Sequence, residues 1–293
     1  MTVLSAFLRP GQETAEIDTA GALPRLLRRR DARIAILLLA LVGAAAILAP
    51  LISMDPDVPD YTNSLAPPGS GHLLGTDEAG RDLLARTLQG ARLSLGSALL
   101  VTAITAVAGL LLGVISGCVG GVLDAVVSRL IDVLLGLPGL VVTLAIVGLL
   151  GPGFLNLVIA MSATGWAALA RLARATSRQA MHQGHVRAAR MAGASLARVA
   201  LGHVLPAAAG GVTVVATLGI GEVVVALAGL SFLGLGAQPP TAEWGTMLAD
   251  ARQTLAYAPW QILGPGTGLV ATVLAATILS EALRDVTSPG AER

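Results

Sequence analysis

His185-Val186-Arg187-Ala188-Ala189-Arg190-Met191-Ala192-Gly193-Ala194-Ser195, running on to His203-Val204-Leu205-Pro206, is a polar, arginine-bearing island between two long apolar blocks. Residues 154–172 precede it and residues 206–235 follow it. Each block is close to the length that crosses a bilayer as a helix, about 20 residues. A basic segment set between two such runs lies in water on one face of a membrane.

Outward from the island the pattern recurs. Apolar runs at 34–52, 95–117, 133–150 and 261–279 complete a set of six. Composition agrees: 54% of residues are hydrophobic and 13% charged, where a soluble domain carries about 25% charged. Mean hydropathy is +0.76. The sequence therefore predicts an all-α, polytopic membrane protein with six transmembrane helices. Its segments are 1–33 ahead of the first helix, 34–53 as that helix, a loop at 54–94, a five-helix core at 95–284, and a tail at 285–293. The core contains the island at 173–206 and a second polar segment at 236–260. Gly120-Gly121 and Gly151-Pro152-Gly153 read as turns, and Pro138 as a kink within the third run. The leader ends in Arg28-Arg29-Arg30-Asp31-Ala32-Arg33. It is too long for a signal peptide's basic region, so the first run reads as an uncleaved span.

Charge placement sets the orientation. All 19 basic residues are arginine. A Walker A loop needs a lysine at the nucleotide phosphates, so an ordinary P-loop is excluded. Six spans put both termini on the island's side. Fifteen arginines then lie on that side and four, Arg81, Arg86, Arg92 and Arg252, lie opposite. The positive-inside rule makes the island and both termini cytoplasmic. The single Cys118 excludes an internal disulfide. No Ser/His/Asp set, HExxH or paired carboxylates occur. His182 and His185 have no Cys or carboxylate beside them, so the expected metal and cofactor content is none. No nucleic-acid partner is expected.

Within the island, residues 181–192 read as a helix with Met181, His185, Ala188, Ala189 and Ala192 on one stripe. Gly193 suits the left-handed position after a helix, and Ser195 the N-cap of the next. That second helix carries Leu196, Val199, Ala200, His203 and Val204 on one stripe, and Pro206 fits the first turn of the following span. Two readings stay open. The small-residue face docks another protein, or the hairpin folds back on its own bundle while its arginines read anionic lipid.

Further expectations concern the spans and the polar segment at 236–260. Glu222 lies inside the fifth run and either lines a pathway or is hydrogen-bonded between helices; Glu281 reads as structural. Arg129 and Asp132 are spaced to pair across a helical turn. Trp244, Tyr257 and Trp260 suit the headgroup zone at the outer end of the last run. A helix at 243–256 with Trp244, Met247, Leu248 and Leu255 on one face is predicted to lie flat on the membrane or cover a vestibule.

The island resembles the EAA loop of ABC importer permeases: Glu-Ala-Ala, a Gly four residues after the second Ala, and a later Leu-Pro. Here the residues are Arg187-Ala188-Ala189, Gly193 and Leu205-Pro206, so Arg187 reverses the charge of the family Glu. Other blocks are similar to the dipeptide/oligopeptide/nickel permeases. They are His72-Leu73-Leu74-Gly75-Thr76-Asp77 with Gly80-Arg81-Asp82, Gly90-Ala91-Arg92-Leu93-Ser94-Leu95, Gly229-Leu230-Ser231-Phe232-Leu233-Gly234-Leu235-Gly236, Gln238-Pro239-Pro240 with Trp244-Gly245, and Leu283-Arg284-Asp285. The long loop after the first span resembles the second, C-type subunit. The likeness covers residues 30–288.

This resemblance implies a type I ABC importer (MetI-like) permease fold in a bacterial inner membrane. It implies a homologous permease subunit as partner, two ATPase subunits docked on the EAA loops, and an extracytoplasmic solute-binding protein delivering a peptide or a related solute such as nickel. Arg187, Ala188, Ala189, Gly193, Ser195, Leu205 and Pro206 would form the ATPase-coupling loop, moving as a rigid body. ATP hydrolysis belongs to the partners, so the chain itself is not an enzyme. An ion-coupled secondary transporter is the alternative; such carriers often show repeat symmetry, and none is evident here.

Overall fold

The computed structural model describes residues 26–51, 55–69 and 71–287. Expectations placed on residues 1–25, 52–54, 70 and 288–293, including most of the leader and the end of the tail, lie outside the described residues. Among those described, the chain is helical, with one isolated bridge between Thr76 and Asp82.

The first helix, α1, is Arg30–Leu48. Helix α2, Leu83–Val119, runs for 37 residues and starts 12 residues earlier than the apolar run predicts. Asp82 is the reason: its carboxylate accepts from the Ala85 amide at 2.8 Å and caps the first turn. At its other end the Gly120-Gly121 turn forms with φ of 69° and 63°, a conformation that favours glycine.

The expected kinked third span is instead two helices, α3 at Gly121–Gly136 and α4 at Gly139–Leu150, bent by 96°. Proline accounts for the break. It cannot donate to the turn before it, and it pushes the preceding residue out of the helical region; Leu137 sits at φ −104°, ψ 147°. At 12 residues, α4 is about 18 Å long and does not span a hydrocarbon core of about 30 Å alone. Among the described residues, five helices are long and apolar enough to cross, or six if the bent pair counts as one.

Helix α5 is Phe154–Met181, and the short α6 is Gly184–Met191. Helix α7 runs without a break over Leu196–Phe232. Helix α8 is Trp244–Thr254 and α9 is Leu263–Thr287.

The central packing is α2 against α5. Gly109, Gly113 and Gly117 lie four residues apart on one stripe of α2. A Cβ at Gly113 would lie 2.5 Å from the Ala173 Cβ and 2.6 Å from the Ala170 carbonyl; one at Gly117 would lie 2.7 Å from the Ser177 Cβ. The backbones therefore touch, which is how helices associate where lipid offers no hydrophobic drive. α7 packs on both, and α1 packs on α9. Large apolar side chains such as Leu37, Leu41, Ile47 and Leu149 point outward, where a bilayer or a second subunit receives them.

Candidate functional site

At the arginine-rich end, α6 is held by its neighbours on both sides. Val186 is fully buried, and Ala189 packs against the cluster formed by Val114, Ala173, Val199 and Val204. Gly193 follows α6 at φ 89°. Its amide donates to the Arg190 carbonyl and the Ala194 amide to the Ala189 carbonyl, both at 3.0 Å, which satisfies two orphan acceptors of the helix end. Ser195 then caps α7, accepting from the Arg198 amide at 3.3 Å. The turn thus forms as the Gly193 and Ser195 readings imply.

The inward stripe differs from the expected one. It is Val186 and Ala189, while His185, Ala188 and Ala192 face out with Arg187, Arg190 and Met191. Met191 is 84% exposed. Among the described residues, Arg187, Arg190 and Arg198 make no ion pair, whereas Arg171 pairs with Asp132 at 2.8 Å. Arg174 grips Asp124 bidentately at 2.5 and 2.8 Å and so ties α5 to α3. Asp132 is thus taken by Arg171, and the local Arg129–Asp132 pair does not form. Among the described residues, then, the guanidiniums of Arg187, Arg190 and Arg198 and the exposed Met191 have no partner.

Pro206 lies in the first turn of the α-helical stretch Leu205–Phe232, as its missing N–H allows, but the chain is already helical ahead of it and runs on through that turn. Residues Ala200–Val204 adopt one wider π turn, with the Leu205 amide bonding to the Ala200 carbonyl. The wider turn makes room ahead of a ring that cannot donate. Leu205 packs on the cluster beneath α6, and Pro206 is exposed on the helix surface. His203 meets His185 edge-on, with ring centroids 5.5 Å apart.

Glu222 sits in the last third of α7 on an exposed face and makes no hydrogen bond or ion pair among the described residues. It is not sandwiched between helices of this chain, so that alternative is removed for the isolated subunit.

The opposite end is built on the His72–Asp82 block. The Asp77 carboxylate accepts from the Ala79 and Arg81 amides at 2.9 Å and from Arg81 Nε at 2.7 Å. Arg86, 4% exposed, reaches Asp77, Asp57 and the Pro56 and Pro240 carbonyls. His72 pairs with Asp82 at 2.8 Å. Asp60 turns the loop, and its carboxyl is held below the usual range by hydrogen bonds from Thr62 and Asn63. Helix α8 is clamped down by the buried Glu243, which accepts from Ser94 Oγ at 2.9 Å and caps the helix at the Thr246 amide. Trp244 and Met247 are buried against Leu83 and Ala91, and Trp244 Nε1 donates to the Thr87 carbonyl at 2.9 Å. The apolar face of α8 therefore faces protein rather than lipid.

Residues 109–293 match the family described as binding-protein-dependent transport system inner membrane component. The chain belongs to this family. It is 40% identical over 261 residues to the di/tripeptide transport system permease protein DppC of Pseudomonas aeruginosa, covering 87% of this chain and 86% of that one. It is 36% identical over 265 residues to the nickel transport system permease protein NikC of Escherichia coli K12, covering 90% and 96%. To the oligopeptide transport system permease protein OppC of Bacillus subtilis it is 33% identical over 269 residues, covering 92% and 88%. The chain is thus a permease subunit of a binding-protein-dependent ABC importer, a transport component of the membrane.

For such a permease, two groups of residues carry chemistry that single-sequence reading passed over. The Asp77–Arg81–Arg86 network was visible only as a motif without a role. Spacing alone cannot say that Arg86 reaches the 240 loop. The Gly109, Gly113, Gly117 stripe had a readable signal, small residues every four positions in an apolar run.

Proposed function

We propose that this permease forms half of a pathway for di- or oligopeptides or a related small solute such as nickel, the other half being a homologous permease. Two ATPase subunits dock on the loop spanning α6, Gly193, Ser195 and the first turns of α7, and an extracytoplasmic solute-binding protein feeds the opposite end. The arginine-rich end and both termini are cytoplasmic, by the fifteen-to-four distribution of arginines. Residues 1–33, 54–94, 173–206, 236–260 and 285–293 are the aqueous segments, and Glu222 lines the pathway or the seam between the permeases. The peptide and nickel relatives motivate the substrate class.

One observation carries the docking assignment. α6 is locked inward by Val186 and Ala189 and presents Met191 outward with Arg187 and Arg190, which make no ion pair among the described residues. An exposed apolar knob ringed by free guanidiniums fits an acidic-rimmed protein groove. Arg187→Glu is expected to weaken ATPase–permease assembly, measured as retention of the ATPases on the tagged permease pair. Reversing one acidic ATPase residue to arginine should restore it. Full retention in Arg187→Glu removes Arg187 from the contact.

A further inference from the structure

An open cleft of about 270 Å³ lies among α1, the first turns of α2 and α9, and Trp244 of α8. Small residues shape it: Ala45, Ala91, Gly264, Gly268 and Ala271 stand in its wall. A Cβ at Gly268 would lie 2.6 Å from Cζ2 of Trp244, so α9 has no room for a side chain there, and the buried indole closes the back. Ala45 and Ala271 are half-buried, as is Leu88 on α2.

The cleft lies at bilayer depth. Leu41 and Ala45 sit in the middle of the apolar run 34–52, and Gly264 to Ala271 lie in the first half of the run 261–279. Thr87, Leu88 and Ala91 precede the apolar run of α2, yet the fold sets them beside these two runs. The polar side chains in the wall are already committed to the protein's own backbone. Thr87 Oγ1 donates to the Leu83 carbonyl, Thr267 Oγ1 to the Leu263 carbonyl, and Trp244 Nε1 to the Thr87 carbonyl. A buried water needs about two to four polar partners, and a charged solute needs more; the wall offers neither its due. An apolar cavity of about 150 Å³ stays dry and takes a benzene-sized guest, and this cleft is larger still.

The mouth shows where such a guest comes from. Leu41 stands at its rim, and the surface around it carries Leu37, Val270 and Leu274, each more than half exposed. Large aliphatic side chains suit lipid, whereas a helix partner is met by small residues that let backbones approach. A helix, about 10 Å across, does not enter a cleft of this size.

We propose that this cleft holds one acyl chain of a bilayer phospholipid, laid between α1 and the α2–α9 pair with Trp244 behind it. A hydrocarbon chain asks for no hydrogen bond and is supplied by the solvent onto which the mouth opens. It fills the space that Ala45 and Ala271 leave empty, so α1 is seated on the bundle partly through lipid. The assignment needs only that this permease spans a membrane; it is independent of the docking-loop and solute assignments.

The test uses the assembled importer complex in nanodiscs containing a phospholipid with a photoreactive diazirine on its acyl chain. Labelled residues are mapped by mass spectrometry. Wild type should be labelled at Leu88 and Ala271 as well as at the exposed Leu37. Ala45→Phe, which puts a ring where the acyl chain lies, should lose label at Leu88 and Ala271 and keep it at Leu37. Ala271→Phe fills the cleft from the opposite wall and gives the same reading at Leu88 if Ala45→Phe fails to assemble. Label at Leu37 alone in wild type would overturn the proposal, as would undiminished label at Leu88 in the filled variants. Label at Leu88 and Ala271 that appears only in the permease separated from its partner subunit would also overturn it, because a side chain of that subunit would then be the occupant.

Discussion

Gly113→Ala adds one methyl group at the tightest point between α2 and α5, and the structure sets what it should do. The new Cβ would stand 2.5 Å from the Ala173 Cβ, 2.6 Å from the Ala170 carbonyl and 2.8 Å from the Arg174 amide. Ordinary contact lies near 3.5–4.0 Å, so the helices must part by about 1 Å. Two of the three neighbours are backbone and cannot rotate away. Overpacking of this kind costs about 1–3 kcal/mol. Alanine's better helix propensity returns up to about 1 kcal/mol, which blurs a single measurement. Gly96→Ala on the same helix corrects for that, since a Cβ there meets nothing within 4 Å. The difference between the two variants then isolates the clash. At roughly 2–4 °C per kcal/mol, thermal unfolding of the purified complex should place Gly113→Ala on the order of 5 °C below Gly96→Ala. Coincident midpoints would refute the claim that backbone contact holds α2 against α5. The interhelical distance would then be set by something other than these glycines.

Two other outcomes follow from the docking end. In a double-mutant cycle, Asp124→Asn and Arg174→Gln should couple by about 1–2 kcal/mol, because the bidentate pair is largely shielded from water; Asp132→Asn with Arg171→Gln, an exposed pair, should couple by no more than about 0.5 kcal/mol. Gly193→Val imposes a branched side chain at φ 89°, where nothing lies within 4 Å of a new Cβ, so its cost is backbone strain of about 1–2 kcal/mol rather than a clash. More ATP should be hydrolysed per solute imported, with near-normal coupling in Gly193→Asn, because asparagine tolerates that conformation; equal coupling in Val, Asn and wild type would show that the turn transmits nothing.

Much of this architecture is legible in the sequence because a bilayer imposes strong rules on it. The apolar runs, the Gly120-Gly121 turn and the Gly193–Ser195 turn follow from hydropathy and from the few residues that accept those backbone conformations. What hydropathy omits is which side of an apolar segment meets protein. Trp244 and Met247 read equally well as lipid-facing or core-facing; the buried Ser94–Glu243 bond that turns them inward joins residues 149 positions apart. The start of α2 is hidden for a related reason. Residues 83–94 include Arg86, Gln89, Arg92 and Ser94, which look like loop until Asp82 is seen capping a helix. Prolines divide by context. Pro138 breaks the chain because Leu137 is free to extend, while Pro206 is absorbed by a π turn because α7 is packed on both sides of it.

That absorbed proline changes how the two ends communicate. A boundary at Pro206 would have made the docking loop a hinged appendage. Instead α7 runs from the Ser195 cap beside α6 to Ser231 and Phe232 beside α8, and α2 runs from the Arg86 cluster to the glycine turn beside α3. Each is 37 residues, about 55 Å of helix. Both ends of the permease therefore lie on the same two rods; α2 is fastened to α5 by backbone contact, α7 packs on both, and Arg174 ties α5 to α3. On the proposed function, a displacement imposed on α6 by an ATPase would reach the opposite end as motion of whole helices, with the Gln183 and Gly193 turns flanking α6 as the hinges. Softening the rods at the Gly113 contact and stiffening or straining the Gly193 turn should then disturb transport in different ways, the first through stability and the second through coupling.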